Sequence, residues 1–312
     1  MKKHRARRTI GILGLGAATL LALAAVASQV VEPVSIHAAD APAPADRRPA
    51  VAIDAGHENA DAVSGFFKPL SGLLGRDNYR VVPFTGPFEA EPLASVDLLV
   101  VSTAGRAAAS AGKSASAAIG DRECDLVRDW VRGGGSLLIV AGETPFTGET
   151  DRLAARFGVQ TGGGRVFDRV SGGGMTTALE FSRANGRLDE HPILRGSGRA
   201  GQIARVLSAG GESLSVPRGA AILLKLSGTA REAMTRDDLE AEEFAARQEA
   251  GISGSFSIPV AGRGLAIALS FGKGRLVVLG DPYLVSGPGL SVSETDNRQF
   301  ARNVVHWLSH QM

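Results

Sequence analysis

The sequence predicts an α/β domain with a doubly wound, mainly parallel sheet in the flavodoxin style, and three observations predict it. Short, continuous apolar runs recur along the first half of the chain: Ala50-Val51-Ala52-Ile53, residues 79–84, residues 96–101 and Ser136-Leu137-Leu138-Ile139-Val140. Segments with helical patterning alternate with them. The runs do not alternate apolar with polar residues, which is the signature of strands covered on both faces by crossover helices.

Taken in order, the first run ends at Asp54-Ala55-Gly56-His57, and a helix around residues 66–74 leads to the second. A small-residue loop extending through Ser116 follows the third run, and a helix from about Asp121 to Val131 precedes the fourth. Gly133-Gly134-Gly135 comes just past that helix, where glycine supplies the left-handed backbone that closes it. Residues 158–263 show little periodicity and read as an irregular insertion with glycine loops at 162–164 and 172–174. Within it, residues 235–250 mix Asp, Glu and Arg with Leu239, Phe244 and Ala245, the pattern of an amphipathic surface helix. Regularity returns in a C-terminal hairpin, residues 265–271 and 275–279 joined by Gly272-Lys273-Gly274. A final helix over 296–309 puts Phe300, Val304 and Leu308 on one stripe, with Trp307 beside it in the core. None of the glycine runs ends in the Gly-Lys-Ser/Thr of a phosphate loop.

Before the domain, residues 1–39 read as a signal peptide or N-terminal membrane anchor. Lys2, Lys3, Arg5, Arg7 and Arg8 form a basic n-region, and no charged residue occurs from Thr9 to Val31. Ala25-Val26-Ala27 and Ile36-His37-Ala38 offer small-residue cleavage patterns, while the uncharged run is also long enough to cross a hydrocarbon core of about 30 Å. Residues 40–49, rich in Ala and Pro, form a linker, and residues 50–312 the domain. The expected location is periplasmic or extracellular, with residues 9–31 as the only membrane contact. The whole chain carries 34 basic and 32 acidic side chains; removing the five basic residues and Glu32 of the leader leaves 29 against 31, a net charge of −2. With no basic tract and 5% aromatics, nucleic acid is not an expected partner. A single cysteine, Cys124, excludes an internal disulfide and a thiolate metal cluster.

Ligands of open α/β sheets gather at the carboxyl ends of the strands. That rule selects Asp54, His57, Glu58 and Asn59 after the first strand, Ser102 and Thr103 after the third, Glu143 and Thr144 after the fourth, and Asp281 after the last. Asp54 and Asp281 are equally suited to bracing their own loops. His57 is the first candidate, because an imidazole just beyond a buried strand can titrate, donate or ligate. His191 follows Asp189-Glu190, an acidic pair placed to orient it. Were His57 and His191 to converge with Asp54 or Asp281, they would form a hydrolytic zinc site with an open coordination position.

Several stretches together resemble a family of uncharacterised exported or membrane-attached bacterial proteins with a class I glutamine amidotransferase-like domain. They are Ile53-Asp54-Ala55-Gly56-His57-Glu58-Asn59, residues 128–138, His191-Pro192-Ile193-Leu194, Phe271-Gly272-Lys273-Gly274-Arg275 and residues 297–308. The resemblance covers nearly everything from Ala50 onward and implies the fold, with no activity to carry over. Amidotransferases of this fold place a nucleophilic cysteine on a tight turn after a central strand. The equivalent turn here, Ala141-Gly142-Glu143-Thr144-Pro145, has no nucleophile, and Cys124 falls inside the preceding helix. No Gly-x-Ser-x-Gly elbow replaces it. Residues 51–57 are also similar to the opening strand of zinc-dependent N-acetylmuramoyl-L-alanine amidases. However, Glu58 is directly adjacent to His57 and no histidine intervenes before His191, which departs from that pattern. The expectation is an exported binding or accessory module, without cofactor, for a small molecule, glycan or envelope protein at the edge formed by residues 54–59. The alternative is a hydrolase of an envelope or extracellular substrate that uses His57, His191 and nearby acids, with or without a zinc ion.

Overall fold

In a computed structural model, the described residues are 48–57, 62–102, 119–142, 149–170, 174–248 and 256–312. They lie in the unit spanning Ala41–Met312. Four parallel strands come first: β1 (Ala50–Asp54), β2 (Arg80–Phe84), β3 (Leu98–Ser102) and β4 (Ser136–Val140). Every residue of β1, β3 and β4 is buried, so an uninterrupted apolar run translates directly into a strand covered on two faces. Helix α1 (Lys68–Arg76) follows β1; Pro69 in its first turn supplies a helical φ where no N–H is needed, and Leu70, Leu73 and Leu74 turn inward. Helix α2 (Ala90–Ala94) joins β2 to β3, and α3 (Asp121–Gly133) joins β3 to β4.

The main sheet has seven strands in the order β2-β1-β3-β4-β13-β12-β9. β13 (Gly274–Leu279) is parallel to β4, while its hairpin partner β12 (Gly264–Phe271) and then β9 (Ala221–Lys225) are antiparallel additions at one side. One face carries α1, the short α7 (Gly287–Leu290) and the last helix, α8 (Asn297–Leu308), which contributes Phe300, Val304, Trp307 and Leu308 to the core. The other face carries α2, α3 and α4 (Glu149–Ala155) through Leu93, Cys124, Val127, Val131 and Leu153. The predicted fold class is therefore the one observed. Because the chain turns from β1 outward to β2 and then returns to β3 on the opposite side of β1, the carboxyl ends of β1 and β3 form the switch point of the sheet. At the end of α3, Gly134 takes φ 129°, the conformation expected of the closing glycine.

The section read as an irregular insertion is regular. β5 (Arg165–Val170), β6 (Gly174–Thr176), β10 (Ala230–Ala233) and β11 (Ser257–Pro259) form a four-stranded sheet in the order β11-β10-β5-β6, against which α6 (Arg236–Gln248) packs. β7 (Leu179–Ser182) pairs with β8 (Arg205–Ser208), and the short helix α5 (Pro192–Arg195) lies between them in sequence. These strands escape a hydropathy reading because they are short and charged residues stand among their buried positions. Glu232 of β10 is fully buried and accepts hydrogen bonds from the Ser213 and Gly164 N–H groups and the Ser213 hydroxyl. Asp168 of β5 is buried and takes the hydroxyls of Ser227 and Thr229 and the guanidinium of Arg187. Burial alone would raise the Asp168 carboxyl, but these donors outweigh it and hold it below its ordinary value. Among the described residues no helix is long and apolar enough to cross a membrane; residues 9–31 lie outside them.

Candidate functional site

His57 sits three residues beyond the end of β1 at the switch point, and it is buried. Both ring nitrogens face carboxylates. Nδ1 lies 2.8 Å from Asp54 Oδ1 and Nε2 lies 3.1 Å from Glu123 Oε1. Asp54 Oδ1 also accepts the Gly56 N–H, and Glu123 accepts the Phe88 N–H on Oε1 and the Gly120 N–H on Oε2. A carboxylate has only lone pairs to offer, so a doubly protonated ring, donating from each nitrogen, satisfies both contacts. Burial alone would lower the His57 pKa, but the hydrogen bonds and charges of Asp54 and Glu123 outweigh it and raise it above the ordinary 6.5. For Glu123, burial pushes upward, while the two backbone N–H groups and His57 together hold it below the usual carboxylate range.

Glu123 is the site residue that sequence reasoning misses. It occupies the third position of α3, and its bond to the Gly120 N–H is one half of a capping box, so a glutamate three residues after the N-cap Gly120 was the available signal. The partner could not be anticipated, because the contact spans 66 residues. Phe88 packs at a tilt of 47° against the His57 ring with centroids 4.6 Å apart, and Phe84 packs behind it at 5.4 Å. Gly56 lets the two loops meet: a Cβ there would lie 2.4 Å from the Gly86 carbonyl oxygen. Gly56→Ala should therefore displace the loop carrying His57 and cost about 1–3 kcal/mol, as overpacking against backbone does. A denaturant melt reads this directly.

A groove of about 380 Å³ runs along β2 and α2, lined by Phe84, Thr85, Pro87, Glu89, Pro92 and neighbouring residues, and it shares Phe84 with the packing behind the His57 ring. Asp54, His57 and Glu123 do not line it. The polar cluster is filled by its own hydrogen bonds, whereas the open space beside it is shallow and largely apolar. Ser102 is buried at the end of β3. Glu58, Asn59, Thr103, Glu143 and Thr144 lie outside the described residues.

The remaining candidates are placed elsewhere. Asp281 follows β13 and is buried, with its carboxylate taken by the Ala209 N–H at 2.8 Å, the Tyr283 N–H at 2.9 Å and the Ser208 hydroxyl. Burial raises its pKa against these bonds, and the residue serves as the loop brace that strand-end acids often are. His191 is at the opposite edge of the sheet. Its ring packs on Trp307, which in turn carries Arg275 at the amino end of β13. The convergence of His57 and His191 required for a shared zinc site is not present. The acidic pair before His191 does not orient it either: Glu190 pairs with Arg183, and His191 Nδ1 accepts the Ile193 N–H as the cap of α5. Among the described residues, no group of three His, Cys, Asp or Glu side chains is arranged to hold a metal ion.

Cys124 is fully buried on α3, and burial pushes its thiol up to about 11, while the nearby Arg156 only partly offsets that. A thiol of this kind is a packing group. We expect it to resist a thiol reagent in the native protein and to react fully once the chain is unfolded in denaturant, a contrast of at least about a hundredfold in rate for a site reached only by opening. Comparable native and unfolded rates would contradict this placement.

No family model matches the sequence, and no curated protein matches it. Solved structures do resemble the fold. The mmIFT52 N-terminal domain is 16% identical, with a TM-score of 0.57 over 83% of this chain and 97% of that one. A ThuA-like protein from Bacteroides uniformis is 13% identical, with a TM-score of 0.42 over 86% and 95%. A second ThuA-like protein, from Parabacteroides merdae, is 10% identical, with a TM-score of 0.40 over 85% and 90%. The first of these likenesses shows a shared α/β fold, in agreement with the strand order of the main sheet.

Proposed function

We propose that this chain is an exported binding or accessory module built on an amidotransferase-like scaffold that has no amidotransferase chemistry. Its ligand is a small molecule, glycan or envelope protein that meets the carboxyl edge around residues 54–59. The observation that carries this reading is the double engagement of His57, whose two nitrogens are both committed to carboxylates. A general base needs a free lone pair, and so does a metal ligand. The only thiol is buried in the core with its pKa raised, so the usual nucleophile of the scaffold is missing as well. What remains is a polar cluster closed by its own hydrogen bonds and, along β2 and α2, an open groove that can take the apolar surface of a ligand.

The test uses the purified full chain. Soluble peptidoglycan fragments and a panel of glycans are screened by thermal shift and then for chemical change by mass spectrometry. The reading expects a stabilising ligand that is recovered intact. Turnover accompanied by stoichiometric zinc, both lost in His57→Ala, would replace it with the hydrolase reading.

A further inference from the structure

The loop that joins β2 to α2 has two sides. Thr85, Pro87 and Glu89 line the groove. The residues between them meet the His57 cluster instead. Gly86 comes so near Gly56 that a Cβ on Gly56 would lie 2.6 Å from the Gly86 nitrogen, and Phe88, 1% exposed, packs on the His57 ring. Alternate residues of one short segment thus wall the groove and cover the histidine. Residues 85–89 belong to neither strand nor helix, so these contacts set where the wall stands.

Glu123 fastens the cover. Its Oε1 takes both the Phe88 N–H, at 2.9 Å, and His57 Nε2, at 3.1 Å, while its Oε2 takes the Gly120 N–H at 2.9 Å. One oxygen therefore ties the loop after β2 to the histidine after β1. The charged groups bonded to the ring are Asp54 from β1 and Glu123 from α3. The β2–α2 loop brings the uncharged Phe88 ring, and its own acid, Glu89, is exposed and lines the groove.

Loss of one ring proton acts on that shared oxygen. Asp54 Oδ1 is the closer acceptor, 2.8 Å from Nδ1, and the Gly56 N–H steadies it, so Nδ1 keeps its proton and the proton of Nε2 leaves to solvent. A bare Nε2 then faces Glu123 Oε1, two acceptors with no hydrogen between them. The carboxylate turns away, and the Phe88 N–H on the same oxygen either follows it or gives up its bond.

We propose that the Glu123–His57 contact is a proton-operated latch on the groove: the doubly protonated ring holds the 85–89 wall in place for a ligand, and the singly protonated ring releases it. The latch rests on the reading of the groove as the ligand site. Burial lowers the ring's pKa, but Asp54 and Glu123 raise it by more, so the wall is held on the acid side of the His57 titration and freed as pH rises through it. A ligand that fits the held wall binds more tightly below the midpoint and in return raises the pKa of the ring, because coupling is reciprocal.

The test is a pH titration of the full-chain protein followed by proton–nitrogen NMR, with and without benzyl alcohol, a probe whose own charge stays constant. The Phe88 amide should shift with the same midpoint as the His57 ring. The dissociation constant of benzyl alcohol, read at the Thr85 and Glu89 amides, should rise about fivefold or more across that midpoint. Glu123→Gln keeps an oxygen for the Phe88 N–H and a side chain suited to the third position of α3, so its binding should change little over the same range. A Phe88 amide that ignores the His57 titration, or an equal pH response in Glu123→Gln, overturns the latch and leaves the groove reading standing. Benzyl alcohol that moves no groove amide at either end of the titration overturns the groove reading, and the latch with it.

Discussion

Replacing Asp77 with Ala should cost about 3–5 kcal/mol of stability, the usual consequence of removing one partner from a buried ion pair. Asp77 follows α1 and is buried, and so is its partner Arg302 on α8. The guanidinium reaches the carboxylate through Nη2 at 2.8 Å and through Nε at 3.3 Å, and His306 adds a hydrogen bond from Nε2. Burial alone would raise the Asp77 carboxyl, but the bonds from His306 and Arg302 outweigh that and hold it below its ordinary value. Once the carboxylate is gone, the desolvated guanidinium has lost its counter-charge, and the joint between the first and last helices of the sheet's one face is lost with it. Asp77→Asn keeps the shape and removes only the charge, so it should fall between wild type and Asp77→Ala. Guanidinium melts of the three proteins measure this, and a loss below about 1 kcal/mol for Asp77→Ala would mean that the pair behaves as a surface bridge.

The second large effect is the pH dependence carried by His57. Its pKa is raised on folding, so its contribution is complete below the ordinary value of 6.5 and is lost as pH rises through the folded value. Glu123 is lowered on folding, so its contribution is complete above 4.5 and is lost as pH falls through the folded value. The clamp is therefore strongest between those two ordinary values. In that window His57→Gln should cost roughly 1.5–3 kcal/mol, the range of a hydrogen bond to a charged group. The difference from wild type should shrink on the alkaline side as the wild-type ring loses its second proton. A stability difference that grows with pH would have the wrong sign for a ring bound between two carboxylates.

The elements legible in the sequence were those whose burial is apolar. β1, β3 and β4, the hairpin of β12 and β13, and the stripe of α8 all bury hydrocarbon at the period of their secondary structure. The four-stranded sheet was not legible, because Glu232 and Asp168 replace hydrophobes at inward positions, and hydroxyl and N–H donors from distant loops satisfy them. The site divides in the same way. The edge carrying Asp54 and His57 follows from strand order alone. Glu123 and the separation of His57 from His191 depend on contacts between remote segments, which no local pattern encodes. His191 shows the limit most plainly: an acid pair precedes it in sequence, yet it caps α5 and packs on Trp307.

Everything proposed for the carboxyl edge depends on the edge histidine being a charged tether between two carboxylates, unavailable as a base or a metal ligand. The direct measurement is a proton–nitrogen NMR spectrum of the His57 ring in the full-chain protein near pH 6, below the ordinary histidine pKa and therefore in the range where a raised pKa keeps most of the rings charged. The expected spectrum shows protons on both Nδ1 and Nε2, each coupled to a carboxylate acceptor. A neutral ring at that pH, with one nitrogen bare, would contradict it and return His57 to the list of catalytic candidates.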